Sequence, residues 1–218
     1  MANQPKQSQA MQILDWAYEK ALTGLPGTDS AVILAENYLK QPGTLHQRAN
    51  ALIRWQNAKA GSSGFITGLG GLITLPLAVP ANLASVLYIQ IRMIAAIAHM
   101  GGHDLRDDRV KSLVYVCLAG NVAKDILQEA GIQAGTRLTA SLIARIPEQT
   151  IATINQKVGI QLLSKTGSKG AINLGKAIPL AGGIIGGAFD VAMTNMLGNA
   201  AKRVFLGKIN EQTTVTTE

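Results

Sequence analysis

Apolar residues recur at three- and four-residue spacing through the first 60 positions, a pattern typical of helices with one buried face. It predicts three amphipathic helices, and polar side chains mark where two of them begin. Thr28 or Asp29 can cap the second helix, and Thr44 with Gln47 forms a capping box for the third. Glycine or proline follows the first two helices, at Gly24 and Pro42.

The pattern changes over residues 60–91, AGSSGFITGLGGLITLPLAVPANLASVLYIQI, which contain no charged residue. The first arm, 65–75, has 11 residues and measures roughly 16 Å as a helix, whereas a membrane span needs about 20 residues. The second arm continues to Met100 but carries Arg92 and His99. Neither arm predicts a transmembrane helix, so we expect a hairpin that is re-entrant, interfacial or buried in protein. Its turn and packing positions are Gly64, Gly68, Gly70, Gly71, Pro76 and Pro80.

Polar residues lie along one face of the second arm. Asn82, Ser85, Arg92 and His99 follow a spacing of three and then seven residues. The favoured interpretation is a face that meets water or a neighbouring helix. The alternative is an internal polar network in which Arg92 is paired with a carboxylate, since an unpaired buried charge is very costly.

A charged block, 103–109, separates this arm from the next predicted helix. Asp104 can cap that helix, which we expect to continue to Glu129 and stop at Gly131. Its polar face includes Asp125, a further candidate for a functional side chain. Two shorter helices are predicted after it, over 133–145 and 148–164.

A second apolar, glycine-rich segment occupies residues 177–201, and Asp190 is its only charged residue before Lys202. Small residues four apart allow two helices to approach closely. Because a lone carboxylate in such a segment needs a partner, we hypothesise an ion pair between Arg92 and Asp190. The glycines form two overlapping GxxxG pairs, Gly182 with Gly186 and Gly183 with Gly187.

The composition combines 47% apolar with 15% charged residues and a net charge of +7. The positive charge favours anionic lipid as a partner, whereas nucleic acid is not expected, because the basic residues are scattered and no aromatic platform accompanies them. The single cysteine, Cys117, excludes a disulfide within the chain and indicates a reducing compartment. The polar start of the sequence has no signal peptide, so we expect a cytoplasmic protein at the inner face of the cytoplasmic membrane.

Motifs for catalysis or cofactor binding are not evident in the sequence. His99, His103 and Asp104 are near one another and could ligate a metal, but Gly101 and Gly102 interrupt the helix between the histidines, and a cap with a solvated loop is the favoured interpretation. The serines at 62–63 do not form G-x-S-x-G, and the glycines lack the lysine of a phosphate loop. We therefore assign no catalytic residue, metal or cofactor.

The stretch SSGFITGLGGLITLPLAVPANLASVLYIQIRMIAAIAHMGGHDL resembles the EcsC family of bacterial proteins. The similarity rests on its glycine-rich start, the Leu-Pro and Val-Pro turns, and a helix that ends in Gly-Gly-His-Asp. The later segment with GG-x-x-GG and Asp190 looks like the family's C-terminal motif. The resemblance implies no settled activity; the hydrolase and proteinase labels associated with the family keep an uncharacterised hydrolase as one alternative.

These observations predict an all-α, compact multi-helix domain of seven to nine helices, with the glycine/proline-rich hairpin packed on the C-terminal glycine-rich helix. Residues 1–60 would be a helical preface, 61–206 the EcsC-like core and 207–218 a polar tail. We expect a non-enzymatic, peripheral or amphitropic membrane protein that binds anionic lipid or a membrane protein. The alternative is a soluble helical interaction or lipid-binding module. A homo-oligomer is compatible with either.

Overall fold

The computed structural model describes residues 4–60, 81–133, 137–164 and 186–207, and these ranges are helical and contain no strand. The all-α prediction is therefore confirmed for this part of the chain. The nine α-helices within the described ranges are α1 (Gln4–Thr23), α2 (Ala31–Leu39), α3 (Leu45–Ala60), α4 (Ala81–Met100), α5 (Asp108–Leu118), α6 (Ala123–Glu129), α7 (Ala140–Ala144), α8 (Glu148–Ser164) and α9 (Gly186–Ala201).

The first three helices follow the predicted pattern, with one correction to a cap. The Thr44 amide donates to Gln47 Oε1 at 2.7 Å, and the Gln47 amide donates to Thr44 Oγ1 at 3.2 Å, which confirms the capping box. The cap of α2 is Ser30 rather than Thr28 or Asp29. Ser30 has an extended backbone and its hydroxyl accepts from the Ile33 amide, so it satisfies a first-turn donor.

Helix α4 is the centre of the fold. It packs against α1, α2, α3, α5 and α9, and most of its side chains are buried. Burial of this apolar surface is the main favourable contribution to the stability of the scaffold. The side chains of α4 that are almost completely removed from solvent are Tyr88, Ile91, Arg92, Met93, Ile94 and Ile97.

The single helix predicted from Asp104 to Glu129 is wrong in two respects. Asp104 does not cap it: its carboxylate accepts from the Arg106 amide in the preceding turn, and Asp107 is the N-cap of α5. The helix is also divided into α5 and α6 by a turn of 3₁₀-helix that begins at Gly120, which has a φ of 64°. Other residues adopt this left-handed backbone at a cost, so glycine places the break.

Helix α3 runs antiparallel to α9. His46 Nε2 donates to the Gly207 carbonyl at 3.0 Å, while Asn57 Nδ2, near the other end of α3, donates to Asn195 Oδ1 at 3.0 Å. Between these contacts Gly198 lies directly against Ile53. The end of α3 therefore lies towards the beginning of α9.

Helices α4 and α9 run towards the same end of the scaffold. A turn of π-helix, Lys202–Leu206, follows α9, and its Phe205 carbonyl accepts from His103, just after the end of α4. The beginnings of α4 and α9, together with the end of α3, consequently lie towards the opposite end, which we call the junction end. In the sequence, residues 61–80 lie between α3 and α4, and residues 165–185 precede α9.

None of the described helices is both long enough and sufficiently apolar to cross a membrane. The predicted hairpin positions Gly64, Gly68, Gly70, Gly71, Pro76 and Pro80, and the packing positions Gly182 and Gly183, lie outside the described residues. Gly186 and Gly187 are the first two residues of α9.

Candidate functional site

The polar residues of α4 face α2 and the loop that leads into it. The Tyr88 hydroxyl lies 2.5 Å from Thr28 Oγ1, and Arg92 Nη1 donates to the Asp29 carbonyl at 3.1 Å. Near the end of the helix, His99 Nε2 donates to Glu36 Oε1 at 2.9 Å. We call Ser85, Tyr88, Arg92 and His99 the polar seam. Ser85, Tyr88 and Arg92 are buried, so the seam does not face water over most of its length.

Arg92 is the most unusual residue of the seam, because only 2% of it is exposed. Its Nη1 has the Asp29 carbonyl as acceptor, and its guanidinium carbon lies 5.4 Å from the centre of the Tyr88 ring. Its Nε and Nη2 are buried and have no hydrogen-bond partner among the described residues. Neither a carbonyl nor an aromatic ring carries the full negative charge that would offset the desolvation of this cation.

The hypothesised partner, Asp190, lies in the first turns of α9, and its side chain is outside the described ones. The ion pair therefore stays a prediction. The described hydrogen bond of Arg92 is directed to the loop before α2, where its Nη1 donates to the Asp29 carbonyl.

Gln56 is a second buried polar residue, on the inward face of α3. It is 1% exposed, and neither amide atom has a hydrogen-bond partner among the described residues. The sequence contains a signal for this burial, since Gln56 follows Ala49, Leu52 and Ile53 at the spacing of one helix face. It precedes Asn57, which contacts α9. Gln56 thus belongs to the junction-end half of its helix.

A groove of about 770 Å³ lies at the His99 end of the polar seam. Its apolar lining comes mainly from α1, α2 and the turn after α4, and includes Leu22, Leu39 and Leu105. Its polar lining includes the Glu36–His99 pair, in which Glu36 is half exposed. Glu36 was not among the predicted site residues because its proximity to His99 depends on how α2 packs on α4.

The three residues considered for a metal are separated in the structure. His99 is paired with Glu36, whereas His103 is buried, packs with its ring tilted against that of Phe205 and donates to the Phe205 carbonyl at 3.2 Å. Burial lowers the pKa of His103, although the hydrogen bond to Phe205 opposes the shift. Asp104 accepts from a local amide. In the part of the chain that the structure describes, no group of three or more acidic, histidine or cysteine side chains is placed to hold a metal.

Two remaining sequence candidates have local structural roles in the described ranges. Asp125 is exposed in the first turn of α6, where a carboxylate interacts favourably with the helix dipole. Cys117 is completely buried in α5, and this burial raises the pKa of its thiol far above the ordinary value, so the sulfur is not a reactive thiolate.

The sequence model of the EcsC protein family matches residues 34–206, well over half of the chain. This chain belongs to the EcsC family. The family match confirms the resemblance inferred from the central and C-terminal motifs. No curated protein and no solved structure matches the chain significantly.

The EcsC match begins within α2 and continues to the end of the π-helical turn. It therefore contains the polar seam, Gln56 and both glycine-rich segments. Helix α1 lies before the matched region but packs on α4, and its Tyr18 hydroxyl donates at 2.8 Å to the carbonyl of Leu105, in the turn after α4.

Proposed function

We propose that this EcsC-family chain is a non-enzymatic, peripheral membrane protein of the cytoplasmic leaflet that binds anionic lipid or a membrane-protein partner. The observation that carries the proposal is the junction end. The end of α3 and the beginnings of α4 and α9 lie towards this same end of the scaffold, so residues 61–80 and the residues before α9 are joined in sequence to helix ends on that side.

The sequences that join the scaffold at this end suit contact with lipid. Residues 61–80 contain no charge, and residues 177–189 contain none either. A helical scaffold that presents two uncharged, glycine-rich segments from one end can insert them at the interface without crossing the bilayer. In this proposal, the glycine/proline-rich hairpin, in which Gly64 and Gly68 form one GxxxG pair, packs on the two GxxxG pairs of the C-terminal glycine-rich segment.

The distribution of charge supports an anionic surface as the partner. Acidic residues do not occur between Glu148 and Asp190, and four lysines lie in that interval. Each lysine near an anionic leaflet contributes about 1 kcal/mol of attraction at physiological ionic strength. Lys157 is paired with Glu129, so the lysines available for this attraction are Lys165, Lys169 and Lys176.

The groove beside Glu36 and His99 favours a second candidate, a helical module that works in solution and binds a partner or a lipid molecule. Its volume of about 770 Å³ is in the range of small-molecule sites. In this alternative, the segments at the junction end pack only against protein.

Flotation of the purified protein with liposomes distinguishes the two candidates. We expect flotation with anionic vesicles that weakens with salt, and none or little with neutral vesicles. A charge placed in the uncharged connection, Leu72→Asp, should reduce flotation strongly. The matched control is Leu142→Asp, because Leu142 is a 46% exposed leucine of α7 near the opposite end of the scaffold.

Equal loss of flotation in both variants would show that the junction end has no special part in binding. Absence of flotation in the unmodified protein would remove the membrane proposal and leave the module that works in solution. Flotation that survives both high salt and carbonate would indicate that the protein inserts stably into the bilayer and does not bind peripherally.

A further inference from the structure

We propose that the groove beside Glu36 and His99 is a docking site for a basic, apolar peptide segment of a partner protein. The groove has a volume of about 770 Å³ and is lined by the ends of α1 and α4, by α2 and by the turn after α4. The inference rests on the proposed function only for the origin of the peptide, the cytoplasmic part of a membrane protein. The docking itself needs no membrane.

The apolar surface at this place is larger than the groove. Leu39 and Leu105 line the groove, and so does Val32, which is 37% exposed. Ile33 is half exposed and lies three residues before Glu36, on the same side of α2. An apolar surface that continues from a groove onto the neighbouring helix suits a peptide with several apolar side chains better than one small molecule.

The charged residues that line the groove favour a cationic occupant. Two of them are acidic, Glu36 and Asp104, and one is basic, Arg106. Both acidic residues are exposed, so a lysine or arginine of a partner can reach them. His99 occupies only Oε1 of Glu36, and Oε2 has no partner among the described residues.

The turn beside the groove adds to the negative charge. The Tyr18 hydroxyl donates to the carbonyl of Leu105, which lines the groove. Burial raises the pKa of Tyr18, and the negative charges of three aspartates raise it further: Asp104, Asp108 and Asp107. Residues 104–109 contain these three aspartates and two arginines, so their net charge is negative in a chain whose total is +7. Such local complementarity selects a basic partner and accelerates its association.

The position of the groove favours a peptide over a lipid of the bilayer. His99 and Met100, at the end of α4, line the groove, whereas the junction end is at the beginning of that helix. The 20 residues of α4 measure about 30 Å. A protein that meets the membrane with its junction end therefore holds the groove beyond the lipid head groups. A cytoplasmic segment of a membrane protein can reach it there, and such segments are rich in lysine and arginine.

Fluorescence anisotropy of a labelled peptide, titrated with the full-length protein in solution, tests the docking site. The probe is a leucine–lysine peptide of about three helical turns with its leucines on one face, and the comparison peptide has glutamate in place of lysine. We expect saturable binding of the lysine peptide that weakens with salt. The glutamate peptide should bind at least about tenfold more weakly.

Two matched pairs of variants locate the binding. Glu36→Gln should weaken it about two- to fivefold, the range for one partly exposed ion pair, whereas Glu129→Gln, which removes a paired carboxylate of α6, should not. Val32→Ser should also weaken binding, and its control is Val191→Ser, because Val191 is an equally exposed valine of α9. All four side chains are exposed, so circular dichroism should show an unchanged fold.

Absence of saturable binding of the lysine peptide by the folded, unmodified protein would overturn the docking site, and this result does not depend on any variant. Equal binding of the two peptides would overturn it as well, because the occupant would then not be selected by charge. Equal effects of the groove variants and their controls would place the peptide elsewhere on the protein.

Flotation with anionic vesicles separates this inference from the proposed function. Glu36→Gln and Val32→Ser should float like the unmodified protein, and loss of flotation in both would identify lipid as the occupant of the groove and overturn the peptide site. The proposed function fails if the unmodified protein does not float, whereas the docking site fails if the lysine peptide does not bind in solution.

Discussion

The close approach of α9 to α3 at Gly198 makes a sharp prediction about stability. A methyl group at position 198 would lie 2.5 Å from Ile53 Cδ1 and 2.6 Å from Ile53 Cγ1, so Gly198→Ala forces the two helices apart or Ile53 out of its place. Overpacking of this kind costs about 1–3 kcal/mol. The gain in helix propensity from glycine to alanine is about 1 kcal/mol. The net expectation is a loss of about 0–2 kcal/mol in the free energy of unfolding.

The sign of the effect should reverse when Ile53 is removed. In an Ile53→Ala background the two close contacts disappear, so Gly198→Ala should stabilise the protein by up to about 1 kcal/mol through propensity alone. The coupling between the two changes should therefore be about 1–3 kcal/mol. Asn199→Ala is the control, because Asn199 is exposed in the same helix and has no such contact with Ile53.

Urea denaturation followed by circular dichroism at the helix band measures all four variants and the unmodified protein. If Gly198→Ala were stabilising in the Ile53 background, or if the two changes were additive, α9 would not pack on α3 in the way described. The junction end would then lose the contact that aligns its helices.

Two further predictions concern buried titratable side chains. Burial lowers the pKa of His103 from 6.5, so the unfolded chain binds more protons than the folded protein below that pH. The free energy of unfolding should therefore fall as the pH decreases through 6.5 towards the folded pKa. In His103→Gln, the urea midpoint should fall less over the same pH range. Cys117 should not react with a thiol reagent in the native protein and should react completely in denaturant, since it is buried and its pKa is raised; rapid reaction of the native protein would contradict the described packing of α5.

Local rules predicted those parts of the fold that depend on neighbouring residues. The capping box at Thr44 and Gln47, the end of α1 before Gly24, and the end of α4 at Met100 are all determined within a few positions of the chain. The break at Gly120 escaped prediction because an isolated glycine in an apolar helix pattern can be tolerated. In the fold it lies against Met196 of α9, a contact that no local pattern contains.

The candidate site shows the same division between local and distant information. The seam of α4 was visible as a spacing of polar residues, and in the structure it lies against α2 and the loop before it; a carboxylate partner for Arg92 stays a prediction. Its partners were not predictable, because Asp29 and Glu36 are each 63 positions from the seam residues they contact, Arg92 and His99. Asp104 was predicted to cap a helix because it precedes one, but Asp107 is nearer to the first turn and takes that place.

The central claim, that the junction end meets the membrane, can be tested directly with an environment-sensitive fluorophore. Cys117 is buried, so an introduced surface cysteine can be labelled selectively. Ala192→Cys places the probe on an exposed position in the early part of α9, and Leu142→Cys places it near the opposite end. With anionic vesicles we expect a blue shift of the emission at position 192 and no change at position 142. A shift at 142 alone, or equal behaviour of the two probes, would contradict the account.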